Sequence, residues 1–175
     1  MSPKTFIATF LLGVWTLPLW AVEAGDEAPS WVGSDVRGNV VSFPEVTNGR
    51  PAVVVFWATW CPYCKAFMPY LEDIQSDYAA DGIKIVAINA KERGIGDPVA
   101  YLDSLGFSVL GILDGDEIAG AYDIQFIPGL MVVDGSGVVS YRRSSTDLPP
   151  GRTLSESWDA EVRAALDLAL NCTGC

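Results

Sequence analysis

The sequence contains no histidine. That removes the Ser/His/Asp triad, the Cys/His protease pair and every histidine-ligated zinc or copper site. Basic residues are scarce: 11 Lys and Arg stand against 22 Asp and Glu, a formal net charge of −11. Such an excess of acid disfavours nucleic acid and anionic membrane surfaces as partners. Cysteine is scarce as well. Four in 175 residues are too few for a disulfide scaffold, and a chain this long can bury a core without one. Half of the residues are hydrophobic and 11% are aromatic, which argues against disorder. The length suits one globular domain. What is present begins with the positions of the cysteines. Cys61 and Cys64, and Cys172 and Cys175, form two C-x-x-C pairs.

Residues 1–24 read as an export signal. Lys4 precedes Phe6–Trp20, an uncharged apolar run of 15 residues, and Val22 and Ala24 suit a cleavage site after Ala24. The run is shorter than the roughly 20 residues that span a bilayer; a retained N-terminal anchor is the alternative. Residues 25–175 are then one exported domain ending in the C-x-x-C tail. Removing the signal takes one basic and one acidic residue, so the net charge belongs to the domain. The exported domain meets an oxidising compartment.

The remaining pattern is α/β. Trp31-Val32 and Val40–Phe43, separated by the turn-forming Asp35–Asn39, predict an N-terminal hairpin. Pro51–Trp57 is a continuous apolar run rich in β-branched residues, as in a strand buried on both faces. A helix is predicted from Pro62 to about Tyr78, with Phe67, Leu71, Ile74 and Tyr78 at helical spacing and Pro69 inside it. A strand over Ile83–Asn89 follows, then a helix from Pro98 to Leu105 capped by Asp97. Phe107–Leu113 is a weaker strand candidate and Gly115–Tyr122 a short helix. Leu130–Val133 and Val138–Tyr141 flank a Gly-rich turn. Thr153 and Glu156 form a capping box before a last helix to about Leu170.

Thiol–disulfide exchange needs a thiolate attacker, a resolving thiol and access to one sulfur. Cys61 falls at a helix start, where unpaired N–H groups and the macrodipole favour the thiolate. Cys64 lies one turn on, within disulfide reach and expected to be deeper. Cys61 is therefore the candidate nucleophile and Cys64 the resolving thiol. A Cys₄ zinc site would need Cys172 and Cys175 as its other ligands.

Val53–Lys65, with Trp-Cys-Pro-Tyr-Cys at its end, resembles the thioredoxin active-site strand and helix start. Gly25–Pro29, Gly38–Val41, Ile85–Asn89 with Glu92, Ala121–Ile124, Ile127-Pro128, Val132–Asp134 and Gly137–Val139 resemble the exported TlpA/ResA/CcmG branch. The resemblance covers roughly residues 25 to 145. It implies a thioredoxin-like fold: a central mixed β-sheet flanked by helices, with an N-terminal β-hairpin. It also implies that Pro128 is a cis-proline whose neighbour, the Ile127 main chain, pairs with substrate as an added strand. It makes Glu92 a candidate general base on Cys64, since the aspartate of thioredoxin's central strand is replaced by Val55; the alternative is a solvated charge cluster, Lys91-Glu92-Arg93. Trp60, Pro62 and Tyr63 complete the expected substrate-facing set, while Trp57 is expected in the core. Pro62-Tyr63 is the glutaredoxin dipeptide, which points to a more oxidising potential, and Gly129 is expected to open space for a partner.

The activity that follows from the resemblance is a thiol:disulfide oxidoreductase. It would reduce disulfides in partner proteins such as apocytochrome c, and be kept reduced by an upstream membrane thiol reductant, in the periplasm and without a cofactor. A disulfide oxidase or isomerase, and a copper(I) carrier using the cysteine pairs, are the alternatives. The resemblance does not reach Cys172 and Cys175. They are a local disulfide or idle dithiol, a second redox pair exchanging with Cys61/Cys64, or a copper(I) site.

Overall fold

The structure, a computed structural model, describes residues 21–144, 146–147 and 150–171. Most of the expected export signal and the Cys172/Cys175 pair lie outside these residues. The apolar run after Arg50 forms β3 (Ala52–Trp57), all six residues buried. Burial on two faces requires cover on two faces, and the chain supplies it. Val54 and Phe56 face one cluster with Phe43, Ile88, Ile112 and Tyr122. Val53, Val55 and Trp57 face another with Phe67, Leu71, Trp158 and Leu166. This is the two-residue alternation of a strand.

Before β3, β1 (Trp31–Ser34) and β2 (Val40–Phe43) form the expected antiparallel hairpin as a separate two-stranded sheet. After β3 come α1 (Pro62–Asp77), β4 (Lys84–Asn89), α2 (Pro98–Asp103), β5 (Leu110–Ile112), α3 (Asp116–Ala121), β6 (Gly129–Val133), β7 (Val139–Arg142) and α4 (Leu154–Asn171). The main sheet has the order β5-β4-β3-β6-β7. It is mixed: β3, β4 and β5 run parallel, and β6 and β7 are antiparallel to their neighbours.

The local signals act as their chemistry dictates. Asp97 accepts from the Ala100 N–H at 3.0 Å and starts α2. Thr153 Oγ1 accepts from the Glu156 N–H at 3.3 Å while Glu156 Oε2 accepts from the Thr153 N–H at 2.6 Å, the reciprocal bonds of a capping box. Two elements are shorter than their patterns predict. α2 stops at Asp103. β5 starts only at Leu110 because the Gln75 side chain takes up both the N–H and the carbonyl of Ser108.

The N-terminal segment packs as part of the domain. Val22 is 8% exposed in the Phe43 cluster, and the Glu23 N–H donates to Asp26 Oδ2 at 2.8 Å. Cleavage after Ala24 would remove both contacts. A chain beginning at Gly25 is therefore expected to be less stable than one beginning at Ala21 by about 1.5 kcal/mol, the order of one buried valine. Denaturant unfolding of the two chains measures the difference.

Candidate active site

The buried β3 delivers the chain into a three-residue loop, Ala58-Thr59-Trp60, and then into α1. Cys61 is the N-cap of α1, extended at φ −86° and ψ 106°, with Pro62 at the first helical position. Proline suits that position because no N–H is needed there. Cys61 and Cys64 are joined in a disulfide with their Cα atoms 5.3 Å apart. Cys61 Sγ also accepts from the Cys64 N–H at 3.1 Å. A helix-start N–H on this sulfur is the contact that favours its thiolate when the pair is reduced.

The expected difference in depth is absent. Cys61 is 2% exposed and Cys64 1%, because in the closed pair both sulfurs sit against the Phe67–Trp158 cluster. The ordering of the two thiols rests on the helix-start hydrogen bond, not on burial. Around them, Tyr63 is 56% exposed and the Ile127–Pro128 bond is cis. Ile127 packs against the cluster that holds both cysteines. The Phe43–Pro44 bond is cis as well, a feature with no recognised signal in the sequence. Trp57 is fully buried, as expected, and tilts against Tyr101 at 5.1 Å.

Glu92 has a definite set of partners. Its Oε2 accepts from the Thr59 N–H at 2.8 Å and from Asn89 Nδ2 at 3.1 Å. Its Oε1 accepts from Thr59 Oγ1 at 2.7 Å and the Arg93 N–H at 3.1 Å. Cys64 is not among these partners. Burial works to raise the Glu92 carboxyl, but the hydrogen bonds from Thr59, Asn89 and Arg93 outweigh it and hold the group below its ordinary value. The carboxylate braces the loop that carries Trp60 into Cys61.

The same loop is held from the side. Trp60 Nε1 donates to the Lys91 carbonyl at 2.8 Å, and the Arg93 guanidinium stacks 3.5 Å from the centre of the Trp60 ring. A Cβ on Gly96 would lie 2.4 Å from Thr59 Oγ1, so only glycine allows the 94–97 segment to close on the loop. Gly129 does not open space. A Cβ there would meet Ile124 and Phe56 at 3.0–3.2 Å, so its missing side chain is already filled by the core.

The last helix runs alongside α1. Trp158 stands edge-on to Phe67 at 5.9 Å, Arg163 bonds Asp77 at 2.7 Å, and Tyr78 donates to Asp167 at 2.7 Å. α4 therefore ends beside the C-terminus of α1, and Cys61 lies at the other end of that helix, about 24 Å away at 1.5 Å per residue. The tail pair, Cys172 and Cys175, lies outside the described residues. Among the described residues no group of three or more Cys, Asp or Glu is placed to hold a metal ion.

Sequence and structure comparisons agree with this architecture. The Redoxin family model matches residues 23–157. The chain is 30% identical over 128 residues to the thiol:disulfide interchange protein DsbE of Tatumella citrea, covering 72% of this chain and 63% of that one. It is 32% identical over 120 residues to the thiol-disulfide oxidoreductase ResA of Bacillus cereus, covering 67% of this chain and 68% of that one. The chain thus spans about two thirds of the length of these relatives. The crystal structure of a thiol:disulfide interchange protein of the thioredoxin family from Chlorobium tepidum superposes with a TM-score of 0.64 at 25% identity, over 86% of this chain and 99% of that one.

Proposed function

The chain belongs to the Redoxin family, and from that premise we propose that it is an exported thiol:disulfide oxidoreductase that reduces disulfides of specific partner proteins. The observation that carries this reading is the Cys61–Cys64 disulfide on the first turn of α1. It is the closed, oxidised half of a two-electron cycle. In the reduced half, the Cys61 thiolate attacks one sulfur of a substrate disulfide, and the other substrate sulfur leaves and takes a proton. The Cys64 thiolate then attacks Cys61 Sγ. The mixed disulfide breaks, the second substrate sulfur leaves as a thiol, and the intramolecular disulfide closes. The two electrons lost per turnover are restored by an upstream membrane thiol reductant.

Glu92 acts in this cycle through Thr59, as a positioning residue. Tyr63, Trp60 and the Ile127 main chain form the substrate-facing side. Apocytochrome c is the partner suggested by resemblance to the cytochrome-maturation branch. Export through the N-terminal apolar run places the domain in the periplasm, free after cleavage or tethered if the run is retained. No helix among the described residues is long and apolar enough to cross a membrane.

Equilibration with a glutathione couple tests the direction of electron flow. A reductant is expected at about −270 mV or lower, whereas a potential near about −120 mV would make the protein a donor of its disulfide. No histidine stands between the cysteines to stabilise the Cys61 thiolate, which favours the lower value.

A further inference from the structure

Two arginines at the end of β7 make contacts that the dithiol does not explain. Successive residues of a strand point to opposite faces, and Arg142 and Arg143 reach opposite ends of the 122–128 segment. Arg142 donates from Nη1 to the Tyr122 carbonyl at 2.7 Å and from Nη2 to the Asp123 carbonyl at 2.9 Å. These carbonyls close α3, where a helix leaves acceptors without partners. Arg143 donates from Nη2 to the Pro128 carbonyl, and its main-chain N–H bonds the Leu130 carbonyl at 2.9 Å. Its guanidinium lies 4.9 Å from the centre of the Phe126 ring and 5.0 Å from that of Trp158. Arg143 is 6% exposed, and Phe126 above it is 53% exposed. Burying a cation is costly, and Arg143 is held in place by the Pro128 carbonyl and by the Phe126 and Trp158 rings.

We propose that Arg142 and Arg143 are positioning residues for substrate docking, holding the Tyr122–Pro128 segment at both ends so that Phe126 and the Ile127 main chain present a fixed edge to an extended, disulfide-bearing polypeptide. This inference rests on the oxidoreductase reading above and deepens it by naming the residues that hold the docking edge in place. An edge of main chain pairs with main chain, and Phe126 offers an apolar contact next to it. A polypeptide uses both. A small disulfide needs only the Cys61 sulfur. Arg143 stacks on two rings while bonding a carbonyl, a combination open to a planar guanidinium and closed to the compact ammonium of lysine.

The test compares two substrates on the reduced full chain: insulin, a protein disulfide, and hydroxyethyl disulfide, a small one. In Arg143→Met the ratio of kcat/KM for insulin to that for hydroxyethyl disulfide is expected to fall about tenfold, the effect of losing one charge-assisted hydrogen bond. The change should appear mainly in KM for insulin. Arg143→Lys should recover only part of the ratio, and Arg142→Gln should lower it in the same direction. If Arg143→Met does not fold, the lysine and glutamine variants carry the same comparison. An unchanged ratio, including equal losses on both substrates, overturns the proposal. A wild-type chain that reduces neither disulfide overturns the oxidoreductase reading, and this inference with it.

Discussion

Cys61→Ser is expected to abolish disulfide exchange, while Cys64→Ser is expected to stall it at a covalent complex with substrate. The asymmetry follows from the two sulfurs' surroundings. Cys61 caps α1 and receives the Cys64 N–H at 3.1 Å, so its thiolate is supported at the helix start. It is the sulfur expected to make the first bond. Serine there supplies no thiolate, and the attack is lost. With Cys64→Ser the first bond still forms, but no thiolate remains to attack Cys61 Sγ, and the mixed disulfide accumulates. Non-reducing electrophoresis after acid quenching reads this directly. Mass spectrometry of the trapped species names the partner. A mixed disulfide that forms through Cys64 in Cys61→Ser, and not through Cys61 in Cys64→Ser, would reverse the assignment. Retention of full activity by Cys61→Ser would remove the redox function.

Glu92→Gln is the second large effect expected. Four donors converge on this carboxylate. Glutamine keeps one oxygen and turns the other side into a donor facing donors. A hydrogen bond to a charged group contributes about 1.5–3 kcal/mol, so a loss of about 2–3 kcal/mol in stability at neutral pH is reasonable. The sign with pH follows from the lowered carboxyl. A carboxyl below its unfolded value contributes stability that is complete above that value and lost as pH falls through the folded one. The gap between wild type and Glu92→Gln should thus be full at neutral pH and close on the acid side, below the ordinary value of 4.5. Chemical denaturation across that range checks it. Loosening the 58–60 loop should also cost on the order of tenfold in kcat/KM, because small misplacements of an attacking atom are costly. The stability loss is expected in either role, because the four donors are present in both; a Glu92 that also served as the proton acceptor for Cys64 would show itself differently. Glu92→Gln would then also move the pH profile of Cys64 alkylation, whereas a purely positioning Glu92 leaves that profile in place.

The features legible in the sequence are those written in adjacent residues. β3 is one apolar run, Asp97 and Thr153–Glu156 are caps, and Cys61-Pro62-Tyr63-Cys64 is one turn of helix. Their physics is local, so spacing alone exposes it. What escaped depends on contacts between distant segments. Arg143 looks like any charged residue at a strand end until Phe126 and Trp158 close on it. Gly96 looks like a loop glycine until Thr59 arrives beside it. Gly129 suggested an opening because the sequence does not show that Ile124 and Phe56 fill the space. Glu92 was visible as a candidate, but its hydrogen-bond partners were not, since Thr59 lies 33 residues away. The equal burial of Cys61 and Cys64 likewise comes from packing around the closed pair.

The chain entering the domain also finishes its sheet. Gly25 and Ala28 donate to Val139 and Gly137 along the start of β7, and Val139 donates back to Asp26. A few residues later, Val36 donates to Gly111 and Leu113 donates to Ser34 along β5. One segment of about a dozen residues therefore bonds to both outer strands of the five-stranded sheet. Open strand edges invite pairing with other chains, and docking of extended polypeptides, as proposed above, would bring such chains close. With its selvedges bound off, the sheet discourages self-association and stray strand addition. A truncation that strips this segment would be felt first as concentration-dependent aggregation, before any loss of thiol chemistry.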